Sequence, residues 1–152
     1  MLNNTEYNLD INNGPNNLHS GLNPYSKRVW TVENLNDTSI TFSLESPHMD
    51  QGFPGALKMY VTYKLLEDGF KINYNATPDK DTIINVTNHS YFNLNGEGSG
   101  TVLNHSVKIY ADSFTPADET SIPTGEIEAV KDTPMDFNNF KTTLTNRGLT
   151  CK

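Results

Sequence analysis

Four histidines, His19, His48, His89 and His105, are the side chains of this sequence best able to give and take protons near neutral pH. His89 lies in Thr87–Gly96, TNHSYFNLNG, at a position where a strand would ordinarily hold Val or Ile. Period two from Asn85 puts Asn85, Thr87, His89, Tyr91 and Asn93 on one face. Ile84, Val86, Asn88, Ser90, Phe92 and Leu94 fall on the other, apolar at both ends as expected of a face that packs into a core. The His89 face then meets either a ligand or plain solvent, and alternation alone does not choose between them. If a ligand, the row of Asn, Thr, His and Tyr suits a neutral polyhydroxylated molecule such as a sugar and not a phosphate.

His19 occurs in NNGPNNLHSG, a Gly/Pro/Asn loop that reads either as an ordinary surface loop or as a second proton-handling site on a rigid scaffold. His105 precedes a strand without an acidic or histidine partner at ligand spacing, and reads as structural or solvated. His48-Met49-Asp50 lacks a third ligand and reads as a loop before GFPG, so no metal site is expected.

The chain that must position these groups has 152 residues, net charge -7 and 15 aromatics (7 Phe, 7 Tyr, 1 Trp). That length suits one domain with a sizeable core. The acidic balance argues against nucleic acid or an anionic membrane as partner, since both demand clustered Lys and Arg. The single cysteine, Cys151, leaves no internal disulfide framework. The opening MLNNTEYNLDINNG has neither a basic start nor an apolar run, so a cytoplasmic chain is expected, with sequons such as Asn85-Val86-Thr87 coincidental.

Period two dominates. In Ala56–Leu65, Leu57, Met59, Val61, Tyr63 and Leu65 share a face. Glu67-Asp68-Gly69 predicts a turn with Gly69 at positive φ, and Phe70, Ile72, Tyr74 and Ala76 alternate on the return, making an antiparallel hairpin. Further short strands are expected at Tyr7–Ile11, Val29–Val32, Ile40–Leu44, Ile83–Asn88 and Val107–Tyr110, separated by turn clusters that include 34–37 and 95–100. Strands at this spacing without helices predict an all-β, large antiparallel sandwich or barrel. Ser113–Phe137, with three prolines, is either packed down by short irregular elements or covers something. Residues 138–152 show no buried-face pattern and stand as an unassigned tail.

Four motifs, read in order, resemble the aldose 1-epimerase (galactose mutarotase) family. NVTNHSYFNL (Asn85–Leu94) is similar to the family signature around its catalytic histidine. NNGPNNLHSG with the following KRVW (Lys27–Trp30) resembles the family's N-x-L-H-G-G loop and its downstream Lys and Trp, with Ser20 in place of the first glycine. SPHMDQGFPGALKMYVTYKL and DSFTPADETSIPTGEI resemble two further family segments. The resemblance implies a β-sandwich of galactose mutarotase type, partial here, with residues 1–137 as part of a single domain. It implies interconversion of the α and β anomers of a hexose such as galactose or glucose, with no cofactor. It further implies His89 as general acid toward the ring oxygen, His19 as a second histidine that binds and polarises the sugar, and Ser90 and Tyr91 as site-lining residues. The family's Asn-Arg motif would fall before residue 7 and its catalytic glutamate after residue 137, so the expectation is a fragment that needs a complementary chain for the base. The alternatives are a non-catalytic carbohydrate-binding sandwich or an inactive remnant.

Overall fold

The structure, a computed structural model, describes residues 1–142. It divides into two compact units, Met1–Thr87 and a second beginning at Asn88.

The first unit is built on one four-stranded antiparallel sheet in the order β1 (Thr31–Asn36), β2 (Ser39–Ser46), β3 (Leu57–Leu66), β4 (Gly69–Pro78). Directly opposed residues share a face, so the register sorts the side chains. Phe42 faces Val61, Leu44 faces Met59, Val61 faces Tyr74 and Met59 faces Ala76, which makes one apolar face. The alternation expected for Ala56–Leu65 is therefore realised. Leu44, Met59 and Val61 are the buried apolar residues of this unit, and Met59 is only 3% exposed. The opposite face carries Thr41 and Thr62, whose hydroxyls lie 2.9 Å apart across the strands. A bulge between Val32 and Asn34 interrupts β1, and Glu33 accepts the Ser43 hydroxyl at 2.6 Å.

The β1–β2 turn is narrower than the Asn-rich cluster predicts. Asn34 and Asn36 belong to β1, and the Asn36 side-chain oxygen accepts the amides of Thr38 and Ser39, both at 3.0 Å. The β3–β4 hairpin forms at Glu67-Asp68, but Gly69 is not at positive φ; it opens β4 opposite Leu66. Two expected strands are absent from this unit. Tyr7–Ile11 is held by a hydrogen bond from the Asp10 amide to the Gln51 carbonyl and joins no ladder. Asn8 also passes so close to Gly52 (φ +89°) that a Cβ there would lie 2.0 Å from the Asn8 carbonyl oxygen. Residues 83–88 likewise form no strand. Val29–Val32 contributes only its end, since β1 starts at Thr31.

Among its described residues the second unit has two small antiparallel pairs, β5 (Ser106–Val107) with β8 (Lys141–Thr142) and β6 (Ser113–Phe114) with β7 (Glu128–Ala129). The strand expected at Val107–Tyr110 shrinks to β5, beyond which the Ile109 amide bonds to Phe137. Short elements pack down the long segment after Ser113. A bridge joins Ala117 to Pro123, and Asp118 Oδ1 accepts the amides of Ile122 and Thr120 and the Thr120 hydroxyl. The Ile122 amide, the Thr120 hydroxyl and the Thr120 amide hold the Asp118 carboxyl below its ordinary pKa. Val130 is the buried apolar residue here. No described helix is long and apolar enough to cross a membrane. Cys151 and most of the 138–152 tail lie outside the described residues.

Candidate active site

The signature segment belongs to neither face of a sheet. It is a run of chain at negative φ fixed by its own asparagines. Asn88 Oδ1 accepts the Ser90 amide at 2.9 Å, which turns the chain locally around His89. Asn93 Oδ1 accepts the Asn95 amide at 3.0 Å, and its Nδ2 donates to the Ser99 hydroxyl at 3.1 Å and the Gly100 carbonyl at 3.3 Å. His105 closes the far end, its Nε2 accepting the Leu94 amide at 2.9 Å. Between these anchors the His89 and Tyr91 rings lie side by side, 5.2 Å between centroids and tilted by 55°. Both side chains are exposed, Tyr91 by 90%.

The expectation that His89 and Tyr91 lie on one side is met. The expectation that Ile84, Val86, Phe92 and Leu94 pack into a core is not, for all four are exposed. With no strand formed here, no pleat sorts these side chains onto a buried face.

His19 occupies a different structure in the first unit, the turn Leu18–Gly21. It is exposed, with φ of 51°, and Ser20 follows at 71°, two consecutive left-handed residues that are not glycine. Gly21, at φ 116°, ends the turn, and a Cβ there would lie 2.8 Å from Asp10 Cβ and 2.9 Å from Gln51 Oε1. Asn12 straddles the turn: its Nδ2 donates to the carbonyls of Leu18 and Gly21, both at 2.8 Å, and its Oδ1 accepts the Leu18 amide at 2.7 Å. Asn17 Nδ2 donates to the Asp10 carbonyl at 2.7 Å, and Gln51 Oε1 accepts the Asn23 amide at 2.7 Å.

Arg28 fastens the chain beyond this turn to the loop after β2. It donates to the Asn23 carbonyl from Nε at 2.9 Å and from a terminal nitrogen at 2.7 Å. It also pairs through two nitrogens with the Asp50 carboxylate, whose Oδ2 accepts the Ser46 hydroxyl as well. Burial pushes the Asp50 pKa up, but hydrogen bonds from Arg28 and Ser46 and the charge of Arg28 outweigh it and hold the carboxyl below its ordinary value. The Tyr25 ring lies 5.1 Å from the guanidinium carbon and edge-on to Trp30, whose indole N–H donates to the Tyr25 carbonyl at 3.0 Å.

The other two histidines, His105 read as structural or solvated and His48 as a loop residue, each accept a backbone amide. His48 Nδ1 accepts the Gly55 amide at 2.9 Å, and His105 anchors Leu94. The described chain brings no three His, Cys, Asp or Glu side chains together for a metal ion. A cleft of about 340 Å³ lies at the hairpin end of the sheet, lined by Leu35, Ile40, Tyr63, Leu65 and Phe70 among others, and no histidine reaches it. Its apolar walls lack convergent polar groups, so the histidine segments are the better candidates. Asn12, Asp50 and the anchoring by His105 were not evident in the sequence, since each acts on backbone groups that only the folded turn brings near.

Two solved structures share this fold. An aldose epimerase homologue from C. elegans aligns with a TM-score of 0.89 and 37% identity, covering 97% of this chain and 45% of that one. Galactose 1-epimerase from Lactobacillus acidophilus aligns at 0.82 and 27%, covering 95% and 43%. The fold is thus all-β, of the galactose mutarotase type. Residues 1–151 match the family model described as aldose 1-epimerase. Galactose mutarotase of Sus scrofa is 49% identical over 132 residues, 87% of this chain and 38% of that protein. Aldose 1-epimerase of Escherichia coli K12 is 44% identical over 134 residues, 88% and 38%. The chain belongs to the aldose 1-epimerase family, and it spans 38% of the length of these curated relatives.

Proposed function

We propose that this chain carries the acid side of a mutarotase reaction on a hexose such as galactose or glucose. The observation that supports this most is the His89–Tyr91 pair, exposed side by side on a segment fixed by Asn88, Asn93 and His105, in a chain of this family. In the proposed reaction a carboxylate takes the C1 hydroxyl proton, the bond between C1 and the ring oxygen breaks, and His89 gives its proton to that oxygen. The open aldehyde turns about C1–C2, and the ring oxygen attacks its other face, giving its proton back to His89 while the carboxylic acid returns its proton to the C1 oxygen. His19 binds and polarises the sugar, and Ser90 and Tyr91 line the site. In this reading the base is a carboxylate outside the four motifs, and the complement in the test below is there to supply it.

Polarimetry of freshly dissolved α-D-galactose tests this, with the chain alone and with the complementary part of a relative's domain co-expressed. The expected result is a rate above buffer that requires the complement and that His89→Asn abolishes. An unchanged rate in His89→Asn would remove His89 as the acid. Galactose binding with no rate under either condition would leave a carbohydrate-binding protein.

A further inference from the structure

We infer that Asn12 is a positioning residue for His19. The inference rests on the reading of His19 as a sugar-binding group. Two successive non-glycine residues at φ 51° and 71° hold a left-handed backbone that crowds the Cβ against the carbonyl oxygen. Within the turn, the Gly21 amide bonds to the Leu18 carbonyl at 3.1 Å. Asn12 adds three hydrogen bonds, one accepted from the first residue of the turn and one donated to the carbonyl at each end. One planar amide therefore fixes where both ends of the turn lie, and with them the direction in which the His19 imidazole leaves the chain.

Asn is chemically required for this. Asp would keep the acceptor for the Leu18 amide and lose both donors, and Gln would set the amide one methylene too far out. The neighbouring contacts act elsewhere. Asn17 bonds to Asp10, Gln51 bonds to Asn23, and Asp10 Oδ2 accepts the Leu22 amide at 3.4 Å. These fix the chain before and after the turn, whereas Asn12 spans it.

The test uses the full chain and four variants: Asn12→Ala, Ser20→Gly, both together, and His19→Ala. The ring-proton NMR signals of the histidines are assigned by their substitution, and galactose is the binding probe. Asn12→Ala is expected to shift the His19 ring signals while those of His48, His89 and His105 stay in place, and to weaken galactose binding about tenfold. Ser20→Gly removes left-handed strain without orienting anything. The double variant is therefore expected to recover thermal stability and not galactose affinity. Unmoved His19 signals in Asn12→Ala, or affinity restored by Ser20→Gly, would overturn the positioning role. The ring signals need no sugar, so they judge the clasp even if His19→Ala leaves galactose binding intact, a result that would overturn the sugar-binding role of His19 instead.

Discussion

Ser20 shows how one backbone angle connects the family pattern to energy. The family-like loop places glycine where this chain has Ser20, and the φ of 71° there is one that glycine adopts without a Cβ penalty. Ser20→Gly is expected to stabilise the protein by about 0.5–1 kcal/mol, the relief of strain less the extra freedom that glycine adds to the unfolded chain. A urea unfolding midpoint lower than that of the wild type would contradict this. Gly21 is the reverse case. Its φ and the approach of Asp10 and Gln51 leave no room for a methyl group, so Gly21→Ala is expected to cost about 2 kcal/mol or more. An unaltered melting midpoint in that variant would show that the turn can move aside.

At the scale of elements, the tie between Arg28 and the loop after β2 contributes to acid behaviour. Asp50 has a folded pKa below its unfolded value, so the pair contributes its full stability above the ordinary carboxylate pKa of about 3.9. That contribution is lost as the pH falls through the lower, folded value. Asp50→Asn is expected to cost about 2–3 kcal/mol at pH 7, because it leaves the guanidinium half-buried without its counter-charge. It should also flatten the fall in melting midpoint below about pH 4. A variant with the same acid limb as the wild type would assign acid sensitivity to other carboxylates. The same scale shows what the sequence made legible. Alternation in β3 is readable because Leu57 to Lys64 have ladder partners on both sides, and the register with β4 carries it on to Leu66. The same pattern around Val86 produced no strand, since alternation reports what a segment would do with a partner and not whether one is there. The sequence left His105 structural or solvated and His48 a loop residue, and the backbone amides they accept come near only in the folded chain. The Asn12 clasp could not, because in an Asn-rich chain nothing distinguishes it until the turn has formed.

Across the whole molecule, one face of the four-stranded sheet changes character along its length. Leu44, Met59 and Val61 are buried at one end, whereas Leu35, Leu65 and Phe70, on the same face at the hairpin end, are 70%, 63% and 50% exposed. Burial and not hydrophobicity determines what each contributes to stability, so equal-sized truncations should have unequal costs. Met59→Ala is expected to destabilise by about 2–4 kcal/mol, through lost transfer energy and the cavity left behind. Phe70→Thr keeps strand propensity and removes mainly solvent-facing surface, so it should cost no more than about 1 kcal/mol. It should, however, lower self-association, since a contiguous apolar patch rimmed by Asp37 and Lys64 is a surface that seeks cover. Urea midpoints and light scattering at matched concentrations measure the two effects separately. If Phe70→Thr cost as much as Met59→Ala, the hairpin end would have to be packed in solution, and the patch would belong to the core.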